Sequence, residues 1–377
     1  MENPFKYGKV VDTPYFTDRE KEFAGILRDI DSMNNLVLYS PRRYGKTSLL
    51  RKVEKEIQQR GWQTIYIDFY RITSRMDFID FYAKAILGQY RKTWQSLIKK
   101  ISLLIKGIRP TVSFDPSGNP VFSISLEPGA DIPQTMEEVL NLTENLSDKA
   151  KWLVIMDEFQ EIVKLNGESF DKLMRSVIQQ HKNTVYIFSG SKHHLLLDLF
   201  NKPNQAFYKF GKMMLLTKID QQVMKQFLIE RFGFTNILLS DEIAQLIIDK
   251  AANIPYYCQY LASEIWQLSI LKGRSPYHDM VSEAIENMLD NMQDYYLSQW
   301  ERLSVSQKKT LVALCQEPTR PFTHLYHIKY NLAAFSSTQR AINKLVELET
   351  VDKRASAYHF LDPFFHMYIM NRIANRI

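Results

Sequence analysis

The chain has 377 residues, 45% of them apolar and 24% charged, with a formal net charge of +6. That length suits two or three domains, and the balance is that of a soluble globular protein, with a basicity that permits acidic or nucleic-acid partners without demanding them. No apolar run approaches about 18 residues and Met1 to Lys6 carries no signal-peptide core, so neither a membrane span nor a leader is expected; the two unpaired cysteines, Cys258 and Cys315, point to a reducing cytoplasm.

Thr17 and Glu20 form a capping-box pattern, and Phe23, Ile26, Leu27 and Ile30 make one helical face. Leu36 to Tyr39 is a short apolar run that reads as a buried strand. Ser40-Pro41-Arg42-Arg43-Tyr44 then turns, and Gly45-Lys46-Thr47-Ser48 opens a helix through Leu49, Leu50 and Val53. This is strand, phosphate loop, helix. Gly45 lets backbone approach a phosphate, and the amides and dipole of a helix N-terminus favour the anion. Lys46 would reach the β/γ-phosphates of ATP, and Thr47 would offer its hydroxyl to Mg²⁺. Ser40 stands where G-x-x-x-x-G-K-[ST] has its first glycine. The plain alternative is a strand–turn–helix with a chance Gly-Lys-Thr.

Thr64 to Phe69 is a second strand, and Asp77 to Tyr90 a helix. An insertion follows over about 97–126. Leu97, Ile101, Leu104, Ile105 and Ile108 form a helical stripe beside Lys99, Lys100 and Lys106, which suits packing on its own domain better than a membrane surface. Val112 to Phe114 and Phe122 to Leu126 then read as a β-hairpin. Thr135 to Leu146 is expected to be helical.

Lys151 to Met156 is a buried strand ending in Asp157-Glu158. An apolar strand ending in Asp behind a phosphate loop is the Walker B pattern, so Asp157 would hold Mg²⁺. Glu158 sits where a base could polarise an attacking water, with Glu161 the next candidate. Phe170 to His181 is helical and contains Arg175. Thr184 to Lys192 is a strand with polar residues at its end, where Ser189 or Ser191 could sense the γ-phosphate and Lys192 could add charge; a simple turn is the alternative. Met213 to Leu216 reads as a last strand. Strands alternating with helices imply a parallel sheet covered on both faces. His193-His194 and His324-x-x-His327 lack cysteines or acids at zinc spacing, so no metal besides nucleotide Mg²⁺ is expected.

From Asp220 the chain turns helical: Asp220 to Phe232, Ser240 to Ala252, Tyr256 to Leu271 and Asp279 to Trp300. The tail has winged-helix spacing. Gln307 to Cys315 is one helix; Ser337 to Leu348, capped by Ser336 or Ser337, is a second; Asp352 to Ser356 reads as a wing. Arg340 and Lys344 lie four apart on the second helix, and Lys353 and Arg354 on the wing, a candidate DNA face diluted by Glu347, Glu349 and Asp352.

Phe16-Thr17-Asp18-Arg19-Glu20-Lys21-Glu22, then Ser40-Pro41-Arg42-Arg43-Tyr44-Gly45-Lys46-Thr47, then Asp157-Glu158-Phe159-Gln160, resemble the motifs F-x-G-R-E-x-E, G-P-R-R-x-G-K-T-S-L and D-E-F-Q of the prokaryotic, archaeal-type ATPases of the AAA+/STAND group. Tyr358-x-Phe360-x-Asp362-Pro363-Phe364-Phe365 also resembles their C-terminal end. Asp18 and Ser40 replace two of the family's glycines. The resemblance implies that Phe16 and Arg19 edge the nucleotide, and that a further strand separates the Walker strands. It implies that Ala252-Asn253-Ile254-Pro255 starts a lid helix at the nucleotide, with Asn253 in place of a glycine. It also implies that the 97–126 protrusion meets a protein partner and that the winged helix often clamps the nucleotide domain.

The expectation is an α/β P-loop NTPase with a RecA/AAA-like parallel sheet over 1–217, a helical lid over 218–300 and a winged helix over 301–377. Lys46 and Glu158 would be catalytic, Thr47 and Asp157 would hold Mg²⁺, and 40–48, Phe16, Arg19, Ser189 and Pro255 would line the nucleotide. Slow ATP hydrolysis would work as a conformational switch. A nucleotide-regulated DNA-binding protein is the rival reading, and a P-loop kinase is disfavoured by Asp157-Glu158 and the winged helix. Oligomeric state is open, and Arg42 and Arg175 are candidates for an arginine finger.

Overall fold

The structure, a computed structural model, describes residues 2–9, 19–89, 94–118, 120–146, 150–165, 170–354 and 356–374. Phe16, Thr17 and Asp18 lie outside them. The chain forms two compact units. One is Arg19–Pro41 with Gly45–Thr217; the other is the described part of Met1–Asp18, with Arg42–Tyr44 and Lys218–Ile377.

In the first unit the apolar runs become strands β1 (Leu36–Tyr39), β2 (Gln63–Asp68), β3 (Ile108–Phe114), β4 (Pro120–Leu126), β5 (Trp152–Asp157), β6 (Thr184–Gly190) and β7 (Lys212–Leu215). Five of them make one sheet in the order β2-β5-β6-β1-β7, every pair parallel. Thus β6 separates β1 from β5, as the resemblance implies. Every residue of β5 and β6 is buried, so the sheet is covered on both faces, which is why these strands read as unbroken apolar runs. Register brings the C-terminal ends together. Tyr39 pairs with Gly190, and Asp68 with Asp157. Polar side chains just beyond those ends therefore share one edge, where open α/β sheets place their ligands.

The insertion differs in detail from its sequence pattern. Its helix spans Trp94–Leu104, and Ile108 begins β3 instead of ending the stripe. Gly107 explains the break. A Cβ there would meet Thr135 Oγ1 at 1.9 Å, so the chain needs glycine where glycine disfavours helix. Ile101, Ile105 and Ile108 are buried in the unit's own core. β3 and β4 pair antiparallel from Ile108↔Leu126 to Phe114↔Pro120. The helix expected over 135–146 begins earlier, with Asp131 accepting from Gln134 N, and divides into Ile132–Leu140 and Leu142–Asn145.

The second unit contains helices Gln221–Gly233, Asp241–Lys250, Pro255–Lys272, His278–Asn291 and Gln293–Glu301. The last two were expected as one helix but part at Met292. Then come Val305–Gln316, opened by a Ser304/Gln307 capping box, the short His324–Lys329, and Phe335–Glu347. The hairpin of β8 (Val351–Arg354) and β9 (Ala357–Phe360) and the helix Pro363–Tyr368 complete the winged helix. Ser336 and Ser337 are not caps: the helix starts at Phe335 from Ala334, and both serines lie in its first turn. Lys353 and Arg354 lie on β8, not in a loop. Leu261, Ile265, Met288, Leu314, Leu345, Phe364 and Ile369 share one continuous core. Phe5 packs on Phe232 in this unit, with ring centroids 5.0 Å apart. Among the described residues no helix is long and apolar enough to cross a membrane, and no three His, Cys, Asp or Glu gather as a metal site. His327 instead sits between the Ala333 and Pro321 carbonyls.

Candidate active site

β1 is followed by Ser40, whose amide donates to the Gly190 carbonyl at 3.3 Å. Ser40 is fully buried and its Oγ has no partner among the described residues, so a hydroxyl stands where the motif has a bare glycine. The loop closes at Gly45, the N-cap of helix Lys46–Gln59, with φ of +86°. That backbone suits glycine far better than any L side chain. Leu49, Leu50, Val53 and Ile57 anchor the helix on the sheet, so the positions of Lys46, Thr47 and Ser48 are set by packing.

Lys46 is 6% exposed and its Nζ donates to Asp157 Oδ1 at 2.5 Å, with longer contacts to Glu158 Oε1 (3.5 Å) and Ser189 Oγ (3.4 Å). Thr47 Oγ1 donates to Asp157 Oδ2 at 3.3 Å. Tyr66 OH donates to that same oxygen at 2.5 Å, and Ser189 Oγ donates to Oδ1. Burial alone would raise the Asp157 carboxyl. The Lys46 charge and the hydrogen bonds from Lys46, Ser189 and Tyr66 override it and bring the pKa down to about 2. Asp157 is therefore a carboxylate at any ordinary pH. The Tyr66 hydroxyl is pushed the other way, by burial first and then by the Asp157 charge. Asp68, beside Asp157 across the β2–β5 pair, is raised by burial.

Glu158 leaves the strand with φ of +52°. Its Oε2 accepts from Gln160 Nε2 at 2.6 Å, Ser191 Oγ at 2.8 Å and Ser191 N at 3.3 Å. Lys192 does not join this cluster: its Nζ lies 3.1 Å from Glu161, which Lys164 also contacts. The sequence reading named Ser189 and Ser191 but gave no role to Tyr66 or Gln160. A tyrosine within an aliphatic buried strand was the available signal for Tyr66, since its hydroxyl must find a partner.

The loop's middle residues belong to the second unit. Arg42 pairs with Glu349 at 3.0 Å and Arg43 with Asp362 at 3.1 Å, and Arg354 Nη2 donates to Tyr44 OH at 3.1 Å. The Arg43 carbonyl accepts from Tyr256 N at 3.4 Å, and its guanidinium lies over Tyr256 and Tyr257. Pro255 is the first residue of that helix, and Asn253, with φ of +51°, donates to the Ile219 carbonyl. Asn253 thus holds a backbone geometry natural to the glycine it replaces. Arg19 is buried with φ of +80° and bonds Glu22 at 2.9 Å. Arg175 lies over Phe210, 3.9 Å from the ring centroid.

Of the proposed DNA face, Arg340 is exposed, Lys344 pairs with Glu347 at 2.8 Å, and Lys353 is exposed. Arg354 is spoken for by Asp352, at 3.1 Å, and by Tyr44. Its side chain is 37% exposed, so it lies at the surface but is held by those two partners.

Mg²⁺ is a hard cation that takes oxygen ligands. The Thr47 hydroxyl and the ionised Asp157 carboxylate, 3.3 Å apart, are such a pair, so the residues fit the ion.

The family described as an ATPase domain predominantly from Archaea matches residues 16–242, and one described as a probable winged helix domain matches 294–371. In fold the chain is similar to a Walker-type ATPase of Pyrococcus abyssi, with 17% identity, a TM-score of 0.67, and coverage of 97% of this chain and 99% of that one. It is also similar to the ORC2 protein of Aeropyrum pernix in its ADP form, at 14% identity and TM-score 0.51, covering 99% and 98%. Comparison with curated proteins gives no match.

Proposed function

Because the chain belongs to the family of ATPase domains found predominantly in Archaea, we propose that it binds Mg-ATP and hydrolyses it slowly to ADP and phosphate as a conformational switch. The observation that carries this reading is the convergence of Lys46, Thr47, Asp157 and Glu158 at one sheet edge. Lys46 would leave Asp157 for the β/γ-phosphates, and Gly45 and the helix N-terminus would cradle them, with Ser40, Pro41 and Ser48 lining the loop. Thr47 and Asp157 would hold Mg²⁺, which supplies charge neutralisation for the phosphates. Glu158 would orient and polarise water. Phe16, Arg19 and Pro255 would edge the nucleotide, and Ser189 would link the γ-phosphate side to Asp157. Arg42, Arg43 and Tyr44 would report the state of the loop to the winged helix that holds them. Phosphate release by the wild type with Mg-ATP, set beside Glu158→Gln and Lys46→Ala, tests the reading; a wild type without turnover removes it.

A second reading rests on exposed Arg340 and Lys353 with Lys344 between: a winged helix that binds DNA under nucleotide control. Duplex binding compared in ADP and ATP tests it.

A further inference from the structure

The hydrolysis reading leaves open which oxygen of Glu158 takes the proton and what holds the side chain still. Among the described residues, the two oxygens are not equivalent. Oε2 accepts three donors, from Gln160 Nε2, Ser191 Oγ and Ser191 N. Oε1 has only the 3.5 Å contact with Lys46. Gln160 is 2% exposed, and the orientation of its amide is dictated by chemistry: a carboxylate only accepts, so the NH₂ must face Glu158. The amide oxygen then points away, buried and without a partner among the described residues. Its seat is beside Gly190, where a Cβ would come within 2.1 Å of Gln160 Oε1. A glycine at the end of β6 is thus what allows Gln160 to stand where it does. A buried unsatisfied oxygen costs stability, and the bond to Glu158 is the evident compensation.

We propose that Gln160, seated against Gly190, is a positioning residue for ATP hydrolysis: with Ser191 it saturates Oε2 of Glu158 and leaves Oε1 as the oxygen that accepts the proton of the attacking water. The proposal rests on the hydrolysis reading above. Gln160 acts only through Glu158, so its loss should lower kcat and leave nucleotide affinity in place.

The test uses the full chain and Mg-ATP, with equilibrium binding, single-turnover hydrolysis and a melting curve on each preparation. Gln160→Leu should lower kcat about 10–100-fold, the worth of one hydrogen bond to a charged group, with ATP affinity within about twofold of wild type. Gly190→Ala removes no donor but takes the room of the Gln160 amide, and should give the same loss. The double variant should be no slower than the slower single, because both act on one contact. Equal kcat in wild type and both variants overturns the proposal while the hydrolysis reading stands. So do losses that multiply in the double variant, or losses of affinity matching those of kcat. No turnover by the wild type removes the hydrolysis reading and this proposal with it. If Gln160→Leu does not fold, Gly190→Ala and Ser191→Ala carry the same comparison.

Discussion

The Arg43 guanidinium, in the middle of the phosphate loop, lies 3.1 Å from the carboxylate of Asp362, which also caps the helix Pro363–Tyr368 through the Phe364 and Phe365 amides. One carboxylate therefore joins a loop residue to the last helix of the winged fold. Asp362→Ala should cost about 1–3 kcal/mol in urea unfolding, from the lost cap and the lost partner of Arg43. Asp362→Asn keeps the cap and should cost less. A double-mutant cycle of Arg43→Ala with Asp362→Asn should give a coupling of about 0.5–1 kcal/mol, since Arg43 is a third exposed. Additive effects would mean the contact has no energetic weight.

The sheet was legible because strands buried on both faces are continuous apolar runs, and Leu36–Tyr39 and Trp152–Asp157 are such runs. Lys46, Thr47, Asp157 and Glu158 were legible because their chemistry needs fixed residue types at the ends of those elements. Tyr66 was not, since its bond to Asp157 depends on the register of β2 against β5. Gln160 was not, because its partner lies around a turn with positive φ at Glu158. The pairing of Arg354 was not legible for two reasons. Asp352-Lys353-Arg354 carries no apolar alternation that would mark a strand. Its partner Tyr44 lies 310 positions away, beyond the reach of any local pattern.

Asp157 is held well below its unfolded value of about 3.9. A depressed carboxylate stabilises the fold above the unfolded pKa, and that contribution fades as pH falls toward the folded one. Asp157→Asn should therefore be less stable than wild type at pH 6, with the gap narrowing as pH falls from about 4 to about 2. Urea unfolding of both proteins across that range measures it. A gap independent of pH would show that Asp157 gives its stability through packing instead of charge.

Lys46→Ala should lose Mg-ATP affinity, because Lys46 is the cation that, among the described residues, pairs with Asp157 and Glu158 at that place. It should also lower the melting temperature without nucleotide, since Asp157 is left buried without its ammonium partner. Calorimetry well below that melting point separates the two effects. Affinity equal to wild type would reject the phosphate-loop assignment.

If the winged helix meets duplex DNA, Arg354 is held by both Tyr44 and Asp352, and three charges serve: Arg340, Lys353 and Lys344, the last by leaving Glu347. Three phosphate contacts imply a log–log salt slope of about −2.7. Removing those three charges should flatten it, whereas Arg354→Ala should change the slope little. A slope unmoved by the triple variant would remove DNA from this face.

Glu158 and Asp157 are adjacent, yet their variants should fail differently. Asp157 takes Lys46, Thr47, Tyr66 and Ser189 on its two oxygens, so Asp157→Asn should weaken metal retention, binding and turnover together. Glu158 keeps one oxygen almost unengaged, and in the proposed reading it acts only as the γ-phosphoryl bond breaks. Glutamine there keeps the shape and can still accept a hydrogen bond from Gln160, but it cannot take a proton. Loss of a general base costs about 10²–10⁴-fold in rate, or about 3–5 kcal/mol of barrier. Glu158→Gln should therefore bind Mg-ATP close to wild type and hydrolyse it hardly at all. Single-turnover hydrolysis beside equilibrium binding on one preparation decides this. Full turnover by the variant would move the base elsewhere. Glu161 is a poor substitute, because Lys164 and Lys192 both hold its carboxylate. Those two lysines keep Glu161 below the usual carboxylate range despite the burial that would raise it. A carboxylate so held is a weak proton acceptor, so rescue through Glu161 should need at least one of its lysines removed.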